Sequence, residues 1–185
     1  MKKNIVEKKQ ITGLVSYEKF KIKLTKKMYL ALIMLITVHL SYGQHIALTF
    51  QETEKHGISI QHLDSIYKNA VNSDTALAIF KTDTEQEKLQ QSYTRLLKDL
   101  ASFLSKNNFK WEKKTPCFNK VYFNKDGAID YFLYFFRGNA EDNPSELKQK
   151  EFQRLLSLFI KDYKFALTAN TKFTQCGGAV YMPEL

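Results

Sequence analysis

The chain has 185 residues, of which 14% are aromatic and 25% are charged, and its formal net charge is +9. Most of this charge lies at the beginning: residues 1–43 hold nine lysines and two glutamates, which leaves 19 basic and 17 acidic residues in 44–185. The resulting +2 in 44–185 gives no electrostatic reason to expect nucleic-acid binding, which depends on neutralising phosphates. One local basic group is compatible with a nucleic-acid or glycan contact, although a solvated loop is the simpler interpretation: Lys110, Lys113, Lys114 and Lys120.

A mostly apolar run of 13 residues, 28–40, follows two lysines near the beginning of the chain. The small residues Ser41 and Gly43 come next, at the −3 and −1 positions of a cleavage site before Gln44. A positive segment, a short apolar segment and small residues at the cleavage site are typical of a secretory signal peptide. The sequence therefore predicts an exported protein, periplasmic or extracellular.

The alternative interpretation of 28–40 is a retained membrane anchor. A spanning helix needs ~20 apolar residues, so the run is short for an anchor and we favour cleavage. On this interpretation residues 1–43 are an N-terminal extension with a signal peptide that is removed, and 44–185 form a single exported domain. Because the positive segment of a signal peptide is normally short, translation begins either at Met1 or nearer Met28.

Three segments have the periodicity of amphipathic helices. The strongest is 84–106, where Thr84 and Glu87 fit a capping box and apolar residues recur on one face. The segment 143–163 has a similar apolar face, and 59–71 has the same spacing over a shorter length. The sequence therefore predicts two long helices and one short N-terminal helix.

Two segments predict the β structure. A hairpin over 120–137 has two arms joined by a turn in which Gly127 suits a positive φ. A final strand over 172–182 contains Gly177 and Gly178, which suggest a bulge or bend. We therefore predict an α+β fold, with a small antiparallel or mixed sheet of about three strands packed by the two long helices.

The second arm of the hairpin is rich in aromatic residues on both faces. We expect Ile129, Leu133 and Phe135 to lie under the two long helices. The opposite face is a candidate binding surface if nothing covers it, and otherwise the strand is core on both sides. This candidate binding face comprises Phe132, Tyr134, Phe136 and Asp130.

Asp130 is the ionisable residue of this strand. A buried carboxyl group has a raised pKa unless it is paired, and perturbed acids often mark functional sites. The plainer interpretation is an edge carboxylate near Lys120 or Arg137. Asp126 and Asp130 together also allow the interpretation that the chain is a carboxylate-dependent hydrolase.

Cys117 and Cys176 are the two cysteines of the chain. In an exported protein an even number of cysteines favours a disulfide, here closing a loop of about 60 residues worth ~4 kcal/mol. The alternative is two unpaired thiols. A catalytic cysteine is not favoured, because no histidine follows His62 to act as its base.

No motif points to a cofactor or a metal. The histidines of 44–185 lack the spacing of a zinc site: His45, His56 and His62. The segment 124–127 is a turn and not a calcium loop, because Tyr122 and Leu133 stand where acidic ligands are needed. We therefore predict no catalytic, cofactor-binding or metal-ligating residue.

The segments Lys106–Trp111, Phe123–Phe132 and Phe173–Cys176 resemble those of the uncharacterised small exported proteins of Gram-negative bacteria. Such a resemblance implies a compartment and no activity. The order of elements from Val121 to Met182 is also similar to that of the C-terminal domain of TonB energy transducers. TonB proteins, however, keep their anchor and have a Pro-rich spacer, whereas this chain has three prolines.

The sequence is best interpreted as that of a non-enzymatic exported binding or interaction module. Its partner is an unknown small molecule, a glycan or an envelope protein, with no nucleic acid and no stable membrane span after cleavage. An envelope-assembly or TonB-like interaction domain is the first alternative. The hydrolase based on Asp126 and Asp130 is the second.

Overall fold

The computed structural model describes residues 45–183. The predicted signal peptide, its cleavage before Gln44 and the position at which translation begins lie outside the described residues. None of the helices within 45–183 has the length and the apolar character that crossing a membrane requires.

The fold is α+β, as predicted. The described residues contain three α-helices, α1 (Ile60–Ile66), α2 (Asp83–Lys106) and α3 (Glu146–Asp162). They also contain five strands: β1 (Ile46–Thr49), β2 (Lys68–Asn69), β3 (Thr115–Phe123), β4 (Ile129–Phe136) and β5 (Phe173–Tyr181). Short 3-10 turns occur at Glu54–His56, Thr75–Leu77 and Ala140–Asp142.

The bounds of the three helices differ from those predicted. Thr82 caps α2 and forms a capping box with Glu85, so the helix begins one residue before the predicted boundary. Ser145 caps α3 by accepting from the backbone N–H of Lys148, because a 3-10 turn occupies the residues before it. Helix α1 is shorter than 59–71, because Tyr67 has extended backbone angles and leads into β2.

The strands form one mixed sheet in the order β1-β4-β3-β5-β2. The predicted hairpin is the antiparallel pair β3–β4, and β5 lies antiparallel on the other side of β3. Strand β1 pairs in parallel with β4, and strand β2 pairs in parallel with the start of β5. The predicted count of about three strands is therefore too low. Strand β1 has four residues, and the alternation of Ile46 and Leu48 with Ala47 and Thr49 suits a short strand or a frayed terminus equally, whereas β2 has two residues, which is too short for any alternation.

Gly127 has the predicted positive φ, at 82°. It follows the turn that joins β3 and β4, and its N–H donates to the carbonyl oxygen of Asn124 at 3.1 Å. A Cβ at Gly127 would lie 2.6 Å from the carbonyl oxygen of Phe165. Both the backbone conformation and the close approach therefore require glycine.

Helices α2 and α3 cover one face of the sheet, which we call the helix face. Its core joins Leu96 and Leu100 of α2 to Phe152 of α3, over Val121 and Phe132 of the sheet. On the second face, α1 and its C-terminal flank cover a smaller cluster. That cluster comprises Leu48, Leu63, Tyr67, Tyr122 and Leu133.

A β-bulge decides which residues of β4 face the helices. Phe123 pairs with Ile129, but Tyr122 pairs with Tyr131, so Asp130 is an extra residue without a partner on β3. A one-residue shift moves every later side chain to the other face of the sheet.

The prediction for the two sides of β4 is therefore wrong beyond the bulge. Ile129 is buried in the helix-face core, as expected. After the bulge, however, Phe132 and Tyr134 belong to the same core, whereas Leu133 belongs to the cluster on the second face. Phe135 packs there against Phe50, with ring centroids 5.6 Å apart.

Candidate functional site

The two cysteines are free thiols, so the predicted disulfide is wrong. Cys117 lies opposite Ala179, and Cys176 lies opposite Lys120, which places the cysteines three positions apart in register. Because side chains alternate along a strand, this odd offset puts the two thiols on opposite faces of the sheet. Cys117 is buried on the helix face, where burial raises the pKa of its thiol to about 12. Cys176 is exposed on the second face.

Asp130, the bulge residue, is buried and bound by two side chains that the sequence did not indicate. The hydroxyl group of Tyr67 donates to its Oδ2 at 2.6 Å, and Nζ of Lys172 donates to the same oxygen at 2.9 Å. Of the two expected partners, Lys120 instead binds Asp64, at 2.7 Å. Burial, followed by the hydrogen bond to Asp130, raises the pKa of Tyr67. These two hydrogen bonds therefore link Tyr67, at the end of α1, and Lys172, just before β5, to Asp130 of β4. We call these three side chains the Asp130 group.

The other residue of the hydrolase interpretation lies in a different environment. Asp126 is in the turn after β3 and forms an ion pair with Lys164. The Lys164 hydrogen bond, followed by that of the Ala128 N–H, lowers the pKa of Asp126. Each of the two carboxylates, Asp126 and Asp130, is thus held by its own lysine, so no observation favours a catalytic pair. Within residues 45–183 no group of three or more His, Cys, Asp or Glu side chains is positioned to hold a metal ion.

The predicted binding face is part of the core. Phe132 and Tyr134 are fully buried. Phe136 is partly buried and packs against Trp111 and Phe152, with ring centroids 6.0 and 5.9 Å apart. The accessible aromatic group of the sheet lies instead on the second face, beyond the reach of α1. It comprises Phe50, Phe118 and Phe135, which are partly buried and in mutual ring contact.

One feature that the sequence did not indicate is a groove of about 680 Å³ between α2 and the outer edge of β5. Strand β2 pairs with β5 only at Phe173 and Thr174. Among the residues that the structure describes, no strand pairs with the rest of that edge, from Gln175 to Tyr181. We call this combination of strand edge and helix the α2–β5 groove.

The direction of the backbone groups along β5 follows from its partners. The carbonyl oxygen of Thr174 accepts from the N–H of Ala70 in the outward direction, at 2.8 Å. Since backbone groups alternate along a strand, the next outward residues are Cys176, Gly178 and Val180. The side chain of Gln175 donates to the carbonyl oxygen of Cys176 at 2.9 Å. The remaining outward N–H and C=O groups border the groove.

Small residues on β5 bring α2 close to the strand. A Cβ at Gly177 would lie 2.9 Å from Cε1 of Tyr93, so the tyrosine ring packs directly on the backbone of the strand. Gly177 and Gly178 pair regularly with β3, without the bulge or bend that they suggested in the sequence. The wall of the groove is the exposed side of α2, which includes Thr94, Leu97 and Ala101.

Four buried polar side chains lie on the helix-face side of the molecule, and two of them, Tyr93 and Tyr181, also line the groove. The hydroxyl groups of Tyr93 and Tyr181 lie beside the side chain of Asn119, and the hydroxyl group of Tyr134 has no hydrogen-bond partner within the described residues. The thiol of Cys117 donates to the Oδ1 of Asn119 at 3.2 Å. Burial raises the pKa of all three tyrosines, which keeps them neutral. The hydroxyl groups of Tyr93 and Tyr181 are therefore enclosed in the core, and what the groove offers at its rim is the edge of β5.

The sequence did not predict the α2–β5 groove, because the groove depends on which edge strand of the sheet lacks a neighbouring strand. The one signal in the sequence was the pair Gly177-Gly178 in a strand, since glycine within a strand can mark a close backbone approach. That signal does not say which element approaches.

Comparison of the chain with protein-family models, with curated proteins and with solved structures finds no match. The resemblance to small exported proteins and to the C-terminal domain of TonB energy transducers stays a prediction from the sequence.

Proposed function

We propose that this protein is an exported, non-enzymatic binding module that holds an extended segment of a partner protein in the α2–β5 groove. The segment would add a strand to the outer edge of β5, a common mode of peptide recognition. The observation that carries the proposal is the set of outward backbone groups at Cys176, Gly178 and Val180, which border the groove and pair with no strand within 45–183.

An open strand edge is a hazard that proteins usually reduce with charges, proline, bulges or very short strands. Residues 175–181 have none of these features: they pair regularly with β3 and contain no charged residue and no proline. The opposite edge of the sheet differs. Strand β1 has four residues, and the side chain of Gln153 donates to the carbonyl oxygen of Ala47 at 3.2 Å. This difference between the two edges of the sheet supports the proposal that the β5 edge pairs with a segment of a partner protein.

The energetics of strand addition suit a moderate affinity. Each backbone hydrogen bond contributes about 0.5–1.5 kcal/mol net. The apolar residues of the wall add about 25 cal/mol for each Å² of apolar surface that the segment buries. The cost of ordering an extended segment opposes both contributions.

The predicted signal peptide supports an envelope or extracellular partner. In the envelope-assembly or TonB-like alternative the partner is a component of the envelope machinery, and the mode of contact is unchanged. A hydrolase finds no support in the groove, where the exposed thiol of Cys176 has neither a histidine nor a carboxylate among the described lining residues.

A proline substitution on β5 tests the proposal. Val180 directs its N–H outward and lies opposite Pro116, so Val180→Pro removes an outward donor without removing a bond to β3. Val180→Ala is the matched control, since it shortens the side chain and keeps the N–H. Linear peptides would be selected from a random display library on the wild-type protein and measured by calorimetry on all three proteins.

We expect Val180→Ala to bind the selected peptides like the wild type, and Val180→Pro to bind them at least about tenfold more weakly. Circular dichroism and thermal melts would establish that both variants are folded. Equal binding by the two variants, or a library that yields no binder, would contradict strand addition.

A further inference from the structure

Resting on the proposed function, we infer the class of residue that anchors the added segment: an aromatic side chain that lies over Gly178, on the second face of the sheet. The surface that receives it is formed by Gly178 of β5, Phe118 of β3 and Arg137, which follows β4. We call this surface the Gly178 notch.

The two adjacent glycines of β5 differ in their surroundings. A Cβ at Gly177 would lie 2.9 Å from Cε1 of Tyr93, so the packing of α2 requires a glycine there. A Cβ at Gly178 would have no atom closer than 4.0 Å apart from its chain neighbours, and the φ of Gly178 is not positive. Neither space nor backbone conformation therefore requires glycine at 178. Because a glycine within a strand can also mark the close approach of a ligand, the open space over Gly178 is suited to a side chain of the added segment.

An aromatic ring borders this space on its inner side. Phe118 lies beside Gly178 in register, on the second face. Its ring contacts those of Phe135 and Phe50, with centroids 5.4 and 6.1 Å away, and both of these rings lie on the side of Phe118 away from β5. Toward β5, Gly178 contributes no side chain, and Phe118 is only partly buried. The row of rings therefore stops at the strand that has the open edge.

The guanidinium group of Arg137 borders the same space. Its Nη1 lies 4.0 Å from the position of a Cβ at Gly178, and Arg137 is exposed. A guanidinium group stacks on the face of an aromatic ring, and an aliphatic side chain offers no such contact. The notch therefore favours an aromatic anchor over an aliphatic one.

An added strand brings a side chain to the notch. Residues that lie side by side on adjacent strands point to the same face, so the residue of the segment beside Gly178 is directed to the second face. Its Cα atom lies about 10 Å from that of Phe118, across two strand spacings. Two aromatic side chains span this distance, because Gly178 places no side chain between them.

Substitution of Gly178 tests the inference. Gly178→Val fills the notch and keeps every backbone N–H, whereas Cys176→Val introduces the same side chain at the preceding outward position, where a side chain is already exposed. The probe is the pool of linear peptides selected from the random display library on the wild-type protein. We expect phenylalanine, tyrosine or tryptophan to be enriched at one position of these peptides. Their affinity should fall about tenfold in Gly178→Val and stay within about twofold of the wild type in Cys176→Val.

A double-mutant cycle links the peptide residue to the notch. Replacing the enriched aromatic residue by alanine should weaken binding about tenfold on the wild type and less than about threefold on Gly178→Val, because the contact is already lost there. Circular dichroism and thermal melts would establish that the variants are folded. If Gly178→Val does not fold, Gly178→Ala replaces it, with a loss of about threefold expected.

The other outcomes separate this inference from the proposed function. Peptides that require the N–H of Val180 but show no aromatic enrichment, or that bind Gly178→Val and Cys176→Val equally, would overturn the aromatic anchor and leave strand addition standing. Peptides that bind Val180→Pro normally would contradict both. A dimer seen by sedimentation of the protein alone that Val180→Pro abolishes would also overturn the inference, because the occupant would then be a second copy.

Discussion

Helices α2 and α3 cover the helix face of the sheet completely at Phe132 and Tyr134, whereas α1 on the second face leaves Phe118 and Phe135 partly exposed. The same strands supply both sets of side chains, so the composition of the strands does not distinguish the faces. The difference comes from the helices, because the two long ones lie on the same side. The helix face holds the larger hydrophobic cluster, and the second face combines a smaller cluster with the buried hydrogen bonds of Asp130.

The largest contrast between the faces should come from phenylalanine truncation. Phe132→Ala should cost ~3–5 kcal/mol of unfolding free energy, because it leaves a cavity in a closed core. Phe135→Ala should cost less, about 1–2 kcal/mol, since its surroundings can relax toward solvent. Urea melts of the two variants would measure the difference. Equal costs would mean that the second face is as tightly packed as the helix face.

The next largest effect concerns the hydrogen bonds of Asp130 on the second face. Asp130→Asn should cost about 1–3 kcal/mol, because it removes the buried charge that binds Lys172 and Tyr67. Asp64→Asn is the control. It weakens a more exposed pair with Lys120 and should cost less than about 1 kcal/mol. Similar values for both variants would show that burial of the Asp130 group adds no stability.

A smaller effect is expected on the helix face, where Tyr134 carries a buried hydroxyl group without a partner among the described residues. At neutral pH, Tyr134→Phe should leave stability unchanged or raise it by up to about 1 kcal/mol. Tyr67→Phe should lower stability instead, because it removes the hydrogen bond to Asp130. A loss of stability in Tyr134→Phe would mean that its hydroxyl group is hydrogen-bonded after all.

The same variant has a pH dependence with a definite sign. Burial raises the pKa of Tyr134 above its ordinary value of 10.0, so above pH 10 the unfolded chain releases a proton that the folded chain keeps. Stability should fall as the pH rises, by up to about 1.4 kcal/mol per pH unit from this residue. Melts between pH 9 and 11 should therefore show a shallower decline in Tyr134→Phe than in the wild type. Parallel curves would contradict the burial of the hydroxyl group.

The smallest effect on stability is expected from chemical labelling of the cysteines, which tests whether the two thiols differ in accessibility. Without reductant, iodoacetamide should modify the exposed Cys176 in the native protein and leave the structure intact. The buried Cys117 should react only after unfolding, because burial both shields its thiol and raises the pKa. Mass spectrometry of peptides would assign the sites. Modification of both thiols at the same rate in the native protein would show that the faces are not separated as described.

Local signals account for what was predicted correctly. The periodicity over 84–106 and 143–163 identified the two long helices, and Gly127 identified the turn of the hairpin, because each depends on residues close in sequence. The predicted ends of the helices were shifted, because capping residues recur and the sequence offers several acceptable caps, such as Thr82 and Thr84.

The errors concern pairs of residues far apart in sequence. The disulfide was wrong because the register between β3 and β5 sets the faces of Cys117 and Cys176, and register is not visible in either strand alone. The faces of β4 were inverted after a bulge at Asp130 that no local pattern announced. The partners of Asp130, Tyr67 and Lys172, lie 63 and 42 residues away from it.

By itself, the sequence determined the fold class, the long helices and the hairpin, since helix caps, periodicity and turn chemistry act within a few residues. The order of the five strands, the open edge of β5 and the α2–β5 groove were decided by the tertiary structure. Short strands such as β2 form only because a neighbouring strand provides hydrogen bonds, and the β5 edge is open because no strand of residues 45–183 pairs with it beyond Thr174. Both depend on contacts between distant parts of the chain, whose free energy no local pattern encodes.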